Sequence, residues 1–281
     1  MSALASLGAW TRESGTVTYD VAPLPEDAPA AFTIHAESHP SGAPSEYPAH
    51  THPLHELVWV RGGTMTARVD DLLVTVPEGQ GLWIPAGVEH AGRLTADVEL
   101  CDAFFAPAAL PEPLDAATTL VMTPLLESLL LHLTRRDLVP AARARAEAVV
   151  LDVLEPSAPA LDLRLPGDPR IDPIARALLA DPADPRDLPA WSREAGLSTR
   201  TVSRAFRAAT GLSFARWRQM LRIHHALRLL GEGREVQEVS RILGYSQPST
   251  FIDAFHRVTG RTPGAHLATG VRKPRSDVSR S

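Results

Sequence analysis

Residues 196–211 read GLSTRTVSRAFRAATG and residues 244–260 read GYSQPSTFIDAFHRVTG, so one short pattern occurs twice in the chain. Each copy begins with glycine, an apolar residue and serine, and each closes on Thr-Gly a few residues after an Ala-Phe pair. The serine, Ser198 or Ser246, is a good helix N-cap, and the glycine before it permits a tight turn. A shorter helical segment, LPAWSREAG or EVQEVSRILG, ends at that glycine. The pattern therefore predicts two helix-turn-helix units.

The second helix of each unit separates into an apolar face and a polar face at helical spacing. The positions predicted to face the core are Val202, Ala205, Phe206 and Ala209 in the first unit and Phe251, Ala254, Phe255 and Val258 in the second. A solvated arginine face is the alternative for one such helix, but its repetition within a basic segment favours DNA contact. The expected DNA-contacting residues are Arg200, Thr201, Arg204 and Arg207 in the first unit and Gln247, Ser249, Ile252, Asp253 and His256 in the second.

The two halves of the chain carry opposite charges although the formal net charge is only -5. Residues 1–169 hold 9 Lys and Arg against 23 Asp and Glu, whereas residues 170–281 hold 19 against 10. The second half therefore has the charge of a surface that binds a polyanion.

The single cysteine, Cys101, excludes an internal disulfide, and its apolar neighbours predict a buried strand thiol. With neither a membrane-length apolar run nor a signal-peptide pattern, we expect a cytoplasmic protein.

Residues 213–233 are predicted to form one long helix that Ser213 caps and that Gly231 and Gly233 end. Such a spacer would hold the two recognition helices about 34 Å apart, which is one turn of duplex.

The 171–269 stretch resembles the DNA-binding domain of the AraC/XylS transcriptional regulators, through FARWRQMLRIHHALRLL, VSRILGYSQPSTFIDAFHRVTGRTP and LSTRTVSRAFRAATG. The resemblance implies a regulator that binds double-stranded promoter DNA, with RNA polymerase as a further partner.

One position departs from that family's pattern. Asp253 stands in the second recognition helix where relatives commonly have a small, neutral or basic residue, and Pro248 lies near the start of the same helix. An outward carboxylate repels phosphate or reads a cytosine amino group. We therefore expect the first unit to supply more of the affinity.

A histidine cluster lies in HTHPLHELVWVRGG, residues 50–63. Alternation along a strand would place His50, His52 and Glu56 on one face and His55 on the opposite, exposed face. A further histidine, His90, ends GQGLWIPAGVEH, residues 79–90.

The two segments resemble the two motifs of the cupin barrel, His-x-His-x3-Glu-x6-Gly and Gly-x5-Pro-x-Gly-x2-His. The resemblance implies that His50, His52, Glu56 and His90 form a ligand set, which suits Mn, Fe, Ni or Zn. In the alternative interpretation, histidines without metal form hydrogen bonds at the barrel rim or contact an organic effector.

Strand-sized runs between residues 30 and 105 predict an antiparallel barrel or sandwich, with Trp59 and Trp83 as packing residues. Two leucine-rich helices are predicted over about 117–137 and 140–154, packed on the barrel or on a second subunit. The proline-rich stretch 155–170 is typical of a linker. The remaining residues, from 171 onward, are predicted to be helical.

The expected fold is therefore a multidomain α+β chain. Its parts are an N-terminal cupin barrel (an RmlC-like jelly roll, 1–107), a helical coupling and dimerisation segment with a linker (108–169), an all-α double helix-turn-helix domain (170–270) and a basic tail (271–281) with Arg272, Lys273 and Arg275. We expect a homodimeric one-component regulator, not an enzyme, in which a small-molecule or metal effector sensed by the barrel controls promoter binding.

The alternative function is a metal-dependent cupin enzyme, a dioxygenase or an isomerase, fused to a DNA-binding domain. The sequence offers no second acid/base pair near the histidine cluster beyond Glu89. That shortage, together with two DNA-reading units, favours the regulator.

Overall fold

The computed structural model describes residues 15–19, 34–107, 114–135, 137–157 and 162–270. The predicted basic tail, 271–281, lies outside the described residues. The strands of the described ranges are β1 (Val17–Thr18), β2 (Ile34–Ser41), β3 (Ser45–His50), β4 (His55–Arg61), β5 (Thr64–Val69), β6 (Leu72–Pro77), β7 (Gln80–Ile84), β8 (His90–Leu94), β9 (Val98–Phe105), β10 (Thr118–Val121) and β11 (Asp162–Arg164). No helix within these ranges is long and apolar enough to cross a membrane.

The strands form two sheets, which confirms the predicted jelly-roll barrel. One sheet, here called sheet A, has the order β1-β3-β8-β5-β6-β11, and the other, sheet B, has the order β10-β7-β4-β9-β2. Alternation in β4 places Val58 and Val60 in the core between the sheets, while Leu57 and Trp59 belong to a second core on the other side of sheet B. Cys101 is buried in that second core, as predicted.

Two helices cover the outer side of sheet B, namely α1 (Pro124–Leu133) and α2 (Pro140–Asp152). The first begins later than the predicted residue 117, because Thr118–Val121 is strand β10 and pairs with β7. The β-branched residues of this run favour a strand. Thr123 then caps the helix with its side chain and Pro124 occupies its first turn, so the helix starts there.

The C-terminal half is helical, as predicted. Its helices are α3 (Asp172–Ala180), α4 (Leu188–Glu194), α5 (Thr199–Thr210), α6 (Phe214–Gly231), α7 (Val236–Ile242), α8 (Pro248–Thr259) and α9 (Pro263–Gly270). The turns of the two units use Gly196 and Gly244 at φ of 65° and 73°, a conformation that favours glycine. Ser198 and Ser213 cap α5 and α6 as predicted, since each side-chain oxygen accepts a hydrogen bond from a first-turn N–H.

The predicted cap of the second recognition helix is wrong. Gln247, not Ser246, occupies the N-cap position of α8, and its side chain makes no capping hydrogen bond. Pro248 is the first helical residue, because its fixed φ and missing N–H suit that position. The helix therefore starts one residue later than the serine would have set it.

The end of the predicted linker is structured and joins the two halves. Asp162–Arg164 pairs with β6 as an antiparallel edge strand. Leu163 and Leu165 are 0% and 2% exposed and belong to the same core as the C-terminal helices. The indole Nε1 of Trp217, in α6, donates a hydrogen bond to the Arg164 carbonyl oxygen at 2.8 Å. Composition indicated a linker here, but these residues pack against both halves.

Replacing Leu165 with alanine is expected to destabilise the full chain by about 2–5 kcal/mol, because the side chain leaves a cavity in a closed core. Equilibrium unfolding in urea measures this change. Val139, 64% exposed ahead of α2, offers the matched control, and Val139→Ala should change stability by no more than about 0.5 kcal/mol. Equal effects from the two substitutions would show that residues 162–165 do not pack as described.

Candidate functional site

The first recognition helix, α5, presents a basic face opposite its buried face. Val202 and Phe206 are both 0% exposed, whereas Arg200, Arg204 and Arg207 are exposed. The half-buried Thr201 hydroxyl lies 2.8 Å from the Ser198 hydroxyl, which places it in the capping turn at the start of the helix. The exposed arginines can therefore reach phosphates or base edges without disturbing the core.

The second recognition helix, α8, is less basic on its exposed side. Among the predicted contact residues of this unit, those that are exposed are Gln247, Ser249, Asp253 and His256. Ile252 was expected to point outward, but it is half-buried against the core of the domain. Arg257 is also exposed, in the last turn of α8. The predicted contact residues did not include it, although its position one helical turn after Asp253 puts it on the same side of the helix.

The histidine cluster comes together from three strands and one connection. His50 ends β3, His52 lies in the connection after it, Glu56 lies in β4, and His90 begins β8. The expectation that residues 50–56 share one strand is wrong, because Pro53 follows His52 and cannot donate a ladder hydrogen bond. The register of β3 and β8 pairs His50 with His90 directly, which brings the segments together.

The three histidines present nitrogen atoms to one another in an orientation suited to metal binding. One ligand nitrogen from each of His50, His52 and His90 lies within 4.8 Å of the others. Each ring also places its Nδ1 at 2.7–2.9 Å from a backbone carbonyl oxygen, those of residues 48, 54 and 88. A carbonyl at Nδ1 accepts a hydrogen bond from the proton held there, so in the neutral ring Nε2 is the lone-pair nitrogen, which is the usual outer arrangement of metal-bound histidine.

Glu56 supplies negative charge between two of these rings. Its Oε2 lies 3.0 Å from His52 Nε2 and 3.2 Å from His90 Nε2, and the carboxylate is buried. Burial alone would raise the pKa of Glu56, but the hydrogen bond from His52 and the nearby His90 lower it to about 2. Burial opposes the charged form of His52 as well, yet its hydrogen bond to Glu56 raises the pKa of that imidazole.

The pKa of His50 shifts in the opposite direction from that of His52. Burial and the adjacent His90 lower the pKa of His50, so this imidazole favours the neutral form. The His90 Nε2 is buried and lies 3.2 Å from Glu56 Oε2 as an ion-pair contact, and among the described residues it has no hydrogen-bond partner. An ionised carboxylate, a neutral imidazole and a buried nitrogen without a hydrogen-bond partner fit a divalent cation with nitrogen and oxygen ligands.

Other residues near the cluster are structural. Trp59 and Trp83 are 3% and 0% exposed and pack in the core of sheet B, as predicted. His55 was expected at the surface, but it is half-buried, since its Nδ1 accepts a hydrogen bond from Ala86 N and its ring stacks on Trp83.

Comparison with known proteins agrees with both halves of this description. A family described as "Helix-turn-helix domain" matches residues 191–269, and one described as "Cupin domain" matches residues 37–104. The HTH-type transcriptional regulator NimR of Escherichia coli (strain K12) is 34% identical over 247 residues, which cover 86% of this chain and 88% of NimR.

Two further comparisons match different lengths of the chain. The regulator RipA of Corynebacterium diphtheriae is 36% identical over 102 residues, or 36% of this chain and 30% of RipA. The crystal structure of unsaturated fatty acid bound ToxT from Vibrio cholerae covers 86% of this chain and 97% of its own, at 10% identity and a TM-score of 0.36. Because NimR is related over nearly its whole length, the chain belongs to the AraC/XylS family of transcriptional regulators, with an N-terminal cupin domain and a C-terminal helix-turn-helix domain that binds DNA.

Proposed function

We propose that α5 and α8 both contact promoter DNA and that an effector sensed by the barrel controls this contact. The observation that carries the proposal is the pair of helix-turn-helix units joined by one unbroken helix, α6, of 18 residues. At 1.5 Å per residue that helix is about 27 Å long, so the two units are held at a separation comparable to one turn of duplex. The exposed arginines of α5 supply the charge that a polyanion requires.

The DNA-contacting residues of this proposal are those on the exposed sides of the two recognition helices. Arg204 lies centrally in α5, one helical turn from Arg200 and from Arg207, so one groove can accept all three side chains. In α8 the exposed Asp253 favours a cytosine amino group over a phosphate. The first unit therefore supplies more of the affinity and the second adds selectivity.

The barrel is proposed to hold a divalent metal at His50, His52, Glu56 and His90. A bound ion would supply the positive charge that the ionised Glu56 and the inward Nε2 atoms favour. The fixed Nδ1–carbonyl contacts keep the three rings oriented whether the signal is the ion itself or an organic effector beside it.

The same observations weigh against the enzyme alternative. NimR, related over most of the chain, is a transcriptional regulator, and the two DNA-binding units have no role in a cupin enzyme. We infer that the barrel senses an effector and does not catalyse a reaction. We also infer that the protein acts in the cytoplasm, where promoter DNA is found. Turnover by the metal-loaded protein in a dioxygenase and isomerase screen would contradict this inference.

A homodimer is proposed through α1 and α2. Three large apolar side chains of these helices remain exposed at 40–54%, Leu125, Leu131 and Val149, although the opposite side of the helices packs on sheet B. Exposed apolar side chains on neighbouring helices are typical of a protein interface. Dimerisation would place two DNA-binding domains along one promoter, where RNA polymerase is the further partner.

The proposed domains follow the expected boundaries with one change. The barrel extends to 107 and is joined by β10, which belongs to sheet B although it lies within 108–169. The rest of that segment contains α1 and α2, and the DNA-binding domain extends from 170 to 270. Because Leu163 and Leu165 lie in the core of the helical half, a separately expressed DNA-binding domain should begin before Asp162.

The function is tested by selecting DNA that binds the full chain from a random pool, followed by gel-shift titration at 50 and 200 mM salt. We expect an enriched site with two elements about 10 base pairs apart. The affinity should fall by more than about tenfold between the two salt concentrations, because counterions are released. Failure to enrich any sequence, or equal binding to a scrambled site, would contradict sequence-specific regulation.

A further inference from the structure

The loop between α3 and α4, residues 181–187, contacts both helix-turn-helix units and is here called the brace. Two of its carboxylates set its local shape. Asp181 Oδ1 accepts a hydrogen bond from Ala183 N at 2.9 Å, and Asp184 Oδ1 accepts one from Arg186 N at 2.8 Å. Aspartate side chains that bind the backbone two residues further on favour one turn conformation. The brace therefore presents a fixed set of groups to the helices around it.

The brace is attached to the first unit through α4. The Asp187 carboxylate caps this helix, since its Oδ1 accepts a hydrogen bond from Ala190 N at 2.9 Å. The Arg186 guanidinium forms an ion pair with Glu194 of α4, and its central carbon lies 3.5 Å from the centre of the Trp191 ring. A cap, an ion pair and a cation–π contact thus hold one end of the brace against the first unit.

Two arginines of the spacer helix α6 bind the backbone of the brace. Arg218 donates hydrogen bonds to the carbonyl oxygens of Asp184 and Arg186, the latter at 2.7 Å. Arg222, one helical turn further along α6, donates from Nε to the Pro182 carbonyl oxygen at 2.8 Å. Both arginines are half-buried. Because charged donors form stronger hydrogen bonds than neutral ones, these contacts fix the brace along α6.

The brace also touches the turn of the second unit. A Cβ atom added at Gly244 would meet the Ala183 carbonyl oxygen at 3.0 Å, so this turn approaches the brace closely. The Arg222 guanidinium carbon lies 5.3 Å from the centre of the Tyr245 ring. That ring in turn lies 5.5 Å from the ring of Phe251, a buried residue of α8. Arg222 therefore contacts the brace and the second unit at once.

These contacts matter because α6 carries both recognition helices. Both α5 and α8 pack on α6, and the second unit follows it after a turn at Gly233, whose φ is 80°. Long helices bend, so a second connection between the units restricts how they move relative to each other. One base pair corresponds to about 3.4 Å along the duplex and about 35° of rotation, so small movements change which spacing fits.

We propose that the brace, Arg218 and Arg222 are positioning elements for DNA binding. They fix the separation and the angle of α5 and α8, and thereby select the spacing between the two DNA elements that the protein accepts. This role requires no contact between the brace and DNA, because a site with the wrong spacing can bind only one recognition helix well. The inference rests on the proposed function, since it requires both recognition helices to contact DNA together.

The test compares DNA sites that differ only in spacing. The full chain is titrated by gel shift against the selected site and against the same site with one base pair inserted or removed between its elements. A half-site, in which the second element is scrambled, is titrated as well. The spacing ratio is the Kd for an altered spacing divided by the Kd for the selected site. We expect a ratio of about ten or more for the wild type.

The variants Arg218→Gln and Arg222→Gln each remove charged donors to the brace. For each we expect the Kd for the selected site to rise by about tenfold, because the competent arrangement of the two units becomes a minor one. The spacing ratio should fall below about three, and the Kd for the half-site should stay within about twofold of the wild-type value. Arg222→Lys keeps a charged donor and should recover part of the spacing ratio.

The matched control is Arg216→Gln, which removes the same charge from the same helix. Arg216 donates to Gln219 of α6 at 3.0 Å, and its loss leaves the hydrogen bonds from α6 to the brace in place. A loss of positive charge or of folded protein weakens binding to every DNA by a similar factor and leaves the spacing ratio unchanged. We therefore expect Arg216→Gln to keep the wild-type ratio.

Two outcomes would overturn the inference alone. A wild-type spacing ratio in both Arg218→Gln and Arg222→Gln would show that α6 and the apolar core fix the spacing without the brace. Equal losses of selected-site and half-site binding in both variants would show that these arginines maintain the first unit or contact DNA directly. If the wild type binds the half-site as tightly as the selected site, α5 and α8 do not act together, and the proposed function fails with the inference.

Discussion

The variant Arg204→Ala is expected to bind the selected promoter site about 5- to 150-fold more weakly than the wild type, a loss of about 1–3 kcal/mol. Arg204 is exposed at the centre of α5, and the residues behind it are buried, so truncation removes a DNA contact without opening the core. Titration of labelled DNA at fixed salt measures the change in Kd.

Two further substitutions decide what Arg204 contacts. Arg204→Lys keeps the charge but cannot form a bidentate pair with guanine, so it should restore binding only if the contact is to a phosphate. Arg135→Ala removes an exposed arginine next to α1, far along the chain from α5, and should leave the Kd unchanged. An unchanged Kd for Arg204→Ala would show that α5 does not present this face to DNA.

The double variant His52→Ala/His90→Ala is expected to lose the metal of the barrel and the response to the effector. It removes two of the proposed ligands and leaves Glu56 buried without its imidazole partners. The loss of metal affinity should exceed the factor of about 10–100 that removal of an outer hydrogen-bond partner causes. Metal content by inductively coupled plasma mass spectrometry and a promoter–reporter assay measure the two effects.

The matched control is His132→Ala, which removes an exposed histidine of α1. That variant should keep both metal and response, and the double variant should still bind the selected DNA because the recognition helices are unchanged. A double variant that responds like the wild type would show that the histidine cluster is not the sensor. Wild-type protein without metal, combined with a lost response, would favour direct contact of the histidines with an organic effector.

The fold was largely predictable where local signals agree with one another. In the first helix-turn-helix unit the glycine turn, the Ser198 cap and the apolar spacing each indicate the same boundaries, and the structure confirms them. Prediction failed where two signals competed. Leucine-rich composition extended the first middle helix over β10, but the pairing of Thr118–Val121 with β7 is a long-range contact that composition does not report.

The candidate site was predictable to the extent that its residues are close in sequence or match a motif. His50, His52, Glu56 and His90 were identified together, although the structure gathers them from separate strands and a connection. The contacts of the brace left no such signal. Arg218 lies 32 residues after the Arg186 carbonyl that it binds, and only the folded domain brings the two together.

Strand β11 has a practical consequence for chimeric regulators, in which the barrel of one protein is fused to the DNA-binding domain of another. A recombination point inside 155–170 would be chosen from composition, since the stretch is rich in proline. Yet Leu163 pairs with Leu73 of the barrel and lies in the core of the helices. A hybrid joined at this point would pack the leucines of one protein against the unmatched surface of another. The two source proteins must therefore have complementary side chains at these positions before the barrel can influence the DNA-binding domain.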